Sequence, residues 1–336
     1  MGRPLRVVAR VHGYPPTHNA GAEWMLHTLL RALAERGHAV SVHLHRYGAM
    51  PGRYDLDGIT VHPLESRTTF VDAGRDADVL IGHLEGAAAA VAFGREWSVP
   101  SVVLVHNTHP ASFDDAAGAG LAVYNAEWTA DEAGEHYTSA ELPVPAHLVV
   151  RPPVLAVDYA TTPGDRVTLV NLNESKGGAL FWELAERMPD LEFLGVQGAY
   201  GDQVVPGHLP PNAVVLPQQA GAMMRDQVYA RTRLLLMPSA YESWGRAGVE
   251  AMASGIPVIA HPTPGLVESL GDAGHFADRN DPDAWEKAIR RLLEPKTYAA
   301  ASAAALARSA ELDPAADLTA WCEAVEALAK PGEEAS

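Results

Sequence analysis

Cysteine, lysine and positive charge are all scarce in this chain. One cysteine, Cys322, stands among 336 residues, so no internal disulfide forms and no thiolate metal cluster can be built on it. Lysine occurs four times, as Lys176, Lys287, Lys296 and Lys330, against twenty-one arginines (25 − 4). Acidic residues outnumber basic ones 42 to 25, a formal charge of −17. That balance makes nucleic acid an unlikely partner and disfavours an anionic membrane surface, because neutralising phosphates needs clustered Lys and Arg. No apolar run reaches the length of a membrane span. The opening MGRPLRVVARVHGYPP is too short in its apolar part for a signal peptide, and the expected location is the cytoplasm. Neither opening strand is followed by G-x-G-x-x-G, and GxxxxGK[ST] is missing, which weakens dehydrogenase and P-loop readings. The Ala/Arg/Gly/Pro-rich composition points to a high-GC genome.

What is present is a soluble globular composition, 47% hydrophobic and 20% charged, long enough for two domains. LRVVARV (5–11) is a β-branched apolar run that predicts a buried first strand. AEWMLHTLLRALAERGH then carries Trp24, Leu26, Leu29, Leu30 and Leu33 at helical spacing, with Gly37 as the stop. AVSVHLHR, GITVHPL, ADVLIGH, PSVVLVHN and AGLAVYN predict further strands, and LEGAAAAVAFGREW a helix. RPPVLAVDYA (151–160) reads as a proline-rich linker. The pattern restarts with VTLVNLN, followed by LEFLGVQG, NAVVLPQQ, RLLLMPS and IPVIAHP as strands. ALFWELAERM, MMRDQVYART, GRAGVEAMASG and DPDAWEKAIRRLLE predict helices. Strands alternating with helices imply parallel βαβ units covered on both faces. The chain therefore reads as two α/β sandwiches in tandem, with the tail KPGEEAS disordered. Ligands of such sheets bind at the carboxyl ends of strands, at topological switch points, and two facing sandwiches would leave a cleft between them.

Loops after strands carry the candidate chemistry. NLNESKGG (171–178) opens a helix, where backbone N–H groups attract anions, Gly177 admits a phosphate, and Lys176 adds a point charge. Taken alone it reads equally as a solvated lysine beside a glycine start. HNAGAEW (18–24) repeats the theme with Gly21, Ala22 and a first-turn Glu23, or is an ordinary turn and cap. His106, at the end of PSVVLV, suits a sugar hydroxyl or acid–base work, although any one of fifteen histidines is by default structural. The most informative stretch is SAYESWGRAGVEAMASGIPVIA (239–260). Glu242 falls on a loop, where it and the amides of Trp244 and Gly245 suit sugar hydroxyls. Glu250 falls about two turns into a helix, where a carboxylate can accept two hydrogen bonds from a vicinal diol. A glycosidase-type pair is less natural, since the two glutamates sit on different elements; both can also be read as plain surface acids.

MPSAYESWGRAGVEAMASGIPVIA resembles the E-x7-E signature of the retaining glycosyltransferases of family four, which have the two-Rossmann GT-B fold. Ala20-Gly21-Ala22-Glu23, His106 and Lys176-Gly177 match further positions of that family in order. The resemblance implies two doubly wound parallel-sheet domains facing a central cleft: an acceptor domain over 1–155, a donor domain over 156–314, and a helix at 315–330 crossing back to the first. It implies a nucleoside-diphosphate sugar as donor substrate, a hydroxyl-bearing acceptor, no metal and no cofactor. By position, Glu250 would hold the donor ribose, and Glu242 with Ser243, Trp244 and Gly245 the transferred sugar. Lys176 would grip the diphosphate with Gly21 lining its pocket, His106 would face the sugar, and backbone around Val215–Gln218 would meet the base. The family usually has an arginine five residues before the lysine; here Asn171 stands there, with Asn173 nearby, and Arg246 is the candidate substitute. A sugar-nucleotide epimerase and a non-catalytic donor-binding or scaffold protein are the competing readings. The sequence names neither base, sugar, acceptor nor oligomeric state.

Overall fold

In the computed structural model, which describes residues 3–48, 52–64, 67–221 and 223–329, the apolar runs become strands of two separate sheets. The tail KPGEEAS lies outside the described residues. The chain divides into one unit up to Pro153 together with the segment from Pro314, and a second unit over Val154–Asp313.

The first unit runs β1 (Arg6–Val11), α1 (Gly21–Glu35), β2 (Ala39–Leu44), β3 (Tyr54–Leu56), β4 (Ile59–His62), α2 (Arg67–Arg75), β5 (Val79–His83), α3 (Ala87–Trp97), β6 (Ser101–Val105), α4 (Pro110–Ala116), β7 (Leu121–Tyr124), α5 (Glu127–Ser139) and β8 (His147–Val149). Its sheet has the order β3-β4-β2-β1-β5-β6-β7-β8, parallel except for the β3–β4 pair. The order reverses between β1 and β5, which puts a switch point there. β5 and β6 are buried at every residue, as sheets covered on both faces require. On α1, Leu26, Leu29, Leu30 and Leu33 are buried while Trp24 is half-buried, and Gly37 takes φ +89° beyond the end of the helix.

The second unit contains α6 (Ala156–Tyr159), β9 (Arg166–Val170), α7 (Gly178–Arg187), β10 (Phe193–Val196), β11 (Ala213–Leu216), β12 (Thr232–Met237), α8 (Arg246–Met252), β13 (Val258–Ala260), α9 (Pro264–Leu270), β14 (Gly274–Phe276), α10 (Pro282–Leu293) and α11 (Pro295–Glu311). Its six strands are all parallel, in the order β11-β10-β9-β12-β13-β14. Here the switch point lies between β9 and β12. One expected helix is corrected: MMRDQVYART forms a π-turn over Met224–Val228 and a 3-10 turn over Tyr229–Arg231. Thr232 starts β12 directly afterwards, and its buried hydroxyl bonds both Val228 O and Thr168 Oγ1 at 2.8 Å. The Val228 carbonyl is thus taken by the Thr232 side chain, and the segment winds as π and 3-10 turns in place of a regular helix.

The last helix, α12 (Ala315–Leu328), belongs to the first unit. Its Trp321 and Val325 join the core that contains Leu26, Leu29 and Leu30, and Trp321 Nε1 donates to Leu29 O at 2.9 Å. Arg151 grips Asp317 with Nε and Nη2 at 2.7 and 3.2 Å. Cys322 is buried in this packing, which pushes its thiol up to about 11 and leaves it inert. Among the described residues, no helix is long and apolar enough to cross a membrane.

Candidate active site

The second switch point brings together two of the sequence-derived residues. After β9 the chain turns at Asn171, with φ +70°. The Asn173 side chain then accepts from Lys176 N at 2.9 Å and Ser175 Oγ at 2.8 Å, closing a 3-10 turn over Glu174–Lys176. Gly177 sits at φ +88°, and a Cβ there would lie 2.4 Å from the Pro238 ring; no other residue fits this corner. Ala240 N donates to Ser175 O at 2.8 Å, stitching the loop after β12 to this turn. The stitch delivers Glu242 to Lys176: Oε1 lies 2.5 Å from Nζ and also accepts from Ser239 Oγ at 2.9 Å. Both side chains are 17% exposed.

Burial alone would lower the Lys176 pKa, but Glu242, and then Tyr200 and Tyr241, raise it above the ordinary value. Lys176 is therefore a firmly held cation. Among the described residues its ammonium bonds nothing but Glu242, and Glu242 Oε2 has no partner. Spare donors and a spare acceptor thus stand side by side. In the same loop Trp244 has a buried ring, and Gly245 takes φ +83°, where a Cβ would meet Leu266 at 2.4 Å. Glu242 and Ser243 are closely overlain by Gly265, whose absent Cβ would lie 2.4 Å from their backbone atoms.

Glu250 is held differently. Arg246, one helical turn earlier, donates from Nε to Oε1 at 2.6 Å, and Tyr229 Oη donates to Oε2 at 2.7 Å. Arg246 also donates from Nη2 to Tyr159 Oη at 3.1 Å. Burial, then the Glu250 charge, pushes the Tyr159 hydroxyl up to about 12. So Arg246 is placed with Glu250 and Tyr159 in a buried cluster, and both oxygens of Glu250 are engaged. Asn171 is equally occupied: its Oδ1 accepts from Gln203 Nε2 at 3.1 Å and Asn173 N at 3.3 Å. Gln203 in turn accepts from Leu172 N and Gly198 N at 3.1 and 2.8 Å. Asn171 ties the 198–203 loop to the end of β9.

In the first unit, His106 follows β6 and is buried, with Nε2 3.1 Å from Nδ1 of His83 at the end of β5. Burial lowers its pKa to about 4 and pushes that of His83 well below the ordinary value, so both rings are neutral at pH 7. Gly21 opens α1 with no atom within 4 Å of where a Cβ would be; neither packing nor φ requires glycine there. Ala22 is half-buried beside it. Glu23 is a buried carboxylate, with Ala20 N donating to Oε2 at 3.1 Å and His12 Nε2 3.1 Å from Oε1. Burial alone would raise its pKa, yet His12 and His83 bring it to about 2.

Sequence reasoning missed Ser239, Tyr159, Tyr229, Gln203 and His83. Tyr159, Tyr229, Gln203 and His83 act through partners distant in sequence, while Ser239 bonds Glu242 three residues on; only Ser239 and His83 carry a signal, lying at or just past the carboxyl end of a strand.

Known proteins extend this picture. A family profile described as "Glycosyl transferases group 1" matches residues 209–310. That stretch, 102 of the 336 residues, is thus similar to the group 1 glycosyltransferases. Its curated relatives include the D-inositol 3-phosphate glycosyltransferase of Mycolicibacterium vanbaalenii, 30% identical over 209 residues, covering 51% of this chain and 45% of that protein. The O-antigen chain mannosyltransferase B of Escherichia coli is 39% identical over 71 residues, covering 21% and 19%. The chain thus spans about half or less of the length of these two relatives. Among solved structures, sucrose-phosphate synthase from Thermosynechococcus elongatus superposes with a TM-score of 0.75 at 14% identity, covering 96% of this chain and 99% of that one. Anabaena HepE in complex with UDP gives 0.73 at 17%, covering 96% and 100%. The fold is GT-B.

Proposed function

We propose that this protein transfers a sugar from a nucleoside-diphosphate sugar to an acceptor hydroxyl with retention of anomeric configuration. The observation that carries this reading is the Lys176–Glu242 pair at the second switch point, with ammonium hydrogens of Lys176 and Oε2 of Glu242 left without a partner among the described residues. As the sugar–phosphate bond breaks, negative charge grows on the leaving diphosphate, and the Lys176 ammonium stabilises it without reorganising. Glu242 holds Lys176 in position and offers Oε2 to the sugar hydroxyls, with the backbone of Ser243, Trp244 and Gly245 completing that contact. The acceptor hydroxyl attacks from the face the diphosphate leaves, and a phosphate oxygen takes its proton, so no protein nucleophile, metal or cofactor is required. The neutral His106 serves as a hydrogen-bonding group toward the sugar. Glu250 is assigned to the donor ribose, which then competes with Arg246 for its oxygens. The GT-B fold, the family match and the UDP bound to Anabaena HepE support this reading.

Its test is a thermal-shift panel of sugar nucleotides, since a ligand of the native state stabilises by RT ln(1 + [L]/Kd). The stabilising donor is then offered acceptor sugars and the product anomer assigned by NMR. An axial donor giving an axial product supports the reading, whereas an inverted product rejects it. The engaged state of Glu250 favours one second reading, a donor-binding protein without turnover. Stabilisation by a donor with no transfer to any acceptor would select it.

A further inference from the structure

The first unit holds a side-chain cluster to which the proposed sugar transfer assigns no role. It lies at the switch point between β1 and β5, where His12 leaves β1, His18 lies in the following loop and Glu23 sits in the first turn of α1. His12 Nε2 is 3.1 Å and His18 Nε2 3.9 Å from the same carboxylate oxygen, Glu23 Oε1, and the three atoms lie within 4.8 Å of one another. An ordinary hydrogen bond accounts for the first distance but not the second, which is beyond hydrogen-bond reach. Three ligands about 2.0–2.1 Å from one tetrahedral ion stand roughly 3.3 Å apart, so the two measured separations bracket what a shared cation requires.

The surroundings fix each group. The His18 ring stacks on Tyr47, with centroids 5.0 Å apart and planes 8° from parallel. A Cβ on Gly13 would lie 2.7 Å from His18 Cγ, so glycine makes room for that ring. The loop between the histidines is pinned by buried Tyr14, whose hydroxyl bonds His27 Nδ1 at 2.9 Å. Ala20 N–H holds the other oxygen of Glu23 and aims Oε1 at the histidines, as outer contacts do for metal-binding carboxylates. His12 and Glu23 are buried, while the His18 side chain is 34% exposed and gives the ion a way in.

We propose that His12, His18 and Glu23 form a binding site for a zinc-type divalent cation. Two imidazoles and one carboxylate suit zinc, cobalt or nickel far better than magnesium or calcium, which prefer all-oxygen sets. Three protein ligands leave a further position for water or a ligand oxygen. This site stands independently of the transferase reading.

The test uses the full chain, stripped with chelator and titrated with ZnCl2 by calorimetry, with CoCl2 as a spectroscopic probe of low coordination number. The wild-type protein is expected to bind one equivalent saturably and to gain thermal stability, with MgCl2 inactive. His18→Ala, at a partly exposed position, should keep the fold and weaken zinc binding at least about tenfold. His208→Ala, at an exposed histidine of the second unit, should leave binding unchanged and serves as the control. Absence of saturable binding, equal binding by His18→Ala, or an equal response to magnesium would each overturn the proposal.

Discussion

The two units place opposite chemistries at the same topological point. Twelve of the fifteen histidines (15 − 3) lie in the first unit, the exceptions being His208, His261 and His275. At its switch point two of them, His83 and His106, are buried and kept neutral. The second unit fills its switch point with full charges, Lys176 against Glu242 and Arg246 against Glu250. Parallel sheets direct strand ends into a common place without dictating the groups that stand there. The first arrangement should respond to pH in the acidic range. The second should respond to loss of a partner.

The largest effect is expected from Lys176→Ala. It strips Glu242 of its counter-charge in a mostly buried place and should cost about 3 kcal/mol of stability and roughly 100-fold or more in turnover. The double variant Lys176→Met/Glu242→Leu should regain much of the stability in urea titrations while staying inactive. Recovered activity in the double variant would show that the pair serves the fold alone.

Acidification is the next test. A histidine with a folded pKa of about 4 and an ordinary value of 6.5, as for His106 and His43, binds its proton more readily when unfolded. Its stabilisation is complete above pH 6.5 and is lost as pH falls towards 4. Between pH 7 and 5 each such group should cost roughly 2 kcal/mol. Hydrogen exchange should therefore show protection falling in β5 and β6 while β9 and β12 hold. Equal loss in both sheets would break the comparison.

Smaller effects separate roles inside the charged unit. Arg246→Met leaves Glu250 only Tyr229 and should change KM for the donor about severalfold with kcat nearly intact, because Arg246 is tied to Glu250 and Tyr159. A fall in kcat with KM unchanged would assign Arg246 to the diphosphate. Asn171→Arg should not raise turnover, since that position is packed against Gly198 and bonded to Gln203. A cost of about 1–3 kcal/mol from overpacking is expected instead, measurable by thermal unfolding.

The long apolar strands were legible because β-branched runs such as LRVVARV and RLLLMPS have no other economical use. β3 and β8 were not, being three-residue edge strands, YDL and HLV, with little apolar pattern. α11 escaped notice because its alanine-rich sequence carries no strong stripe. Lys176, Glu242 and Glu250 stood out by residue type, loop position and likeness to a family motif. Their partners did not, because Tyr159, Tyr229 and Gln203 acquire their roles only when distant segments close around them, and Ser239 is an ordinary loop serine until its bond to Glu242 is seen. Arg246 shows the same limit: its spacing to Glu250 allows an ion pair, which the structure forms, whereas its candidacy as substitute for the missing arginine rests on the family motif alone.

The most direct test of the central claim, that the second switch point is a charged diphosphate-sugar site held by Lys176, is calorimetric titration of the stabilising sugar nucleotide into wild-type protein and Lys176→Ala at pH 7. Loss of the ammonium should weaken binding by about tenfold or more, equivalent to roughly 1.4 kcal/mol. Equal affinity in the two proteins would contradict the account.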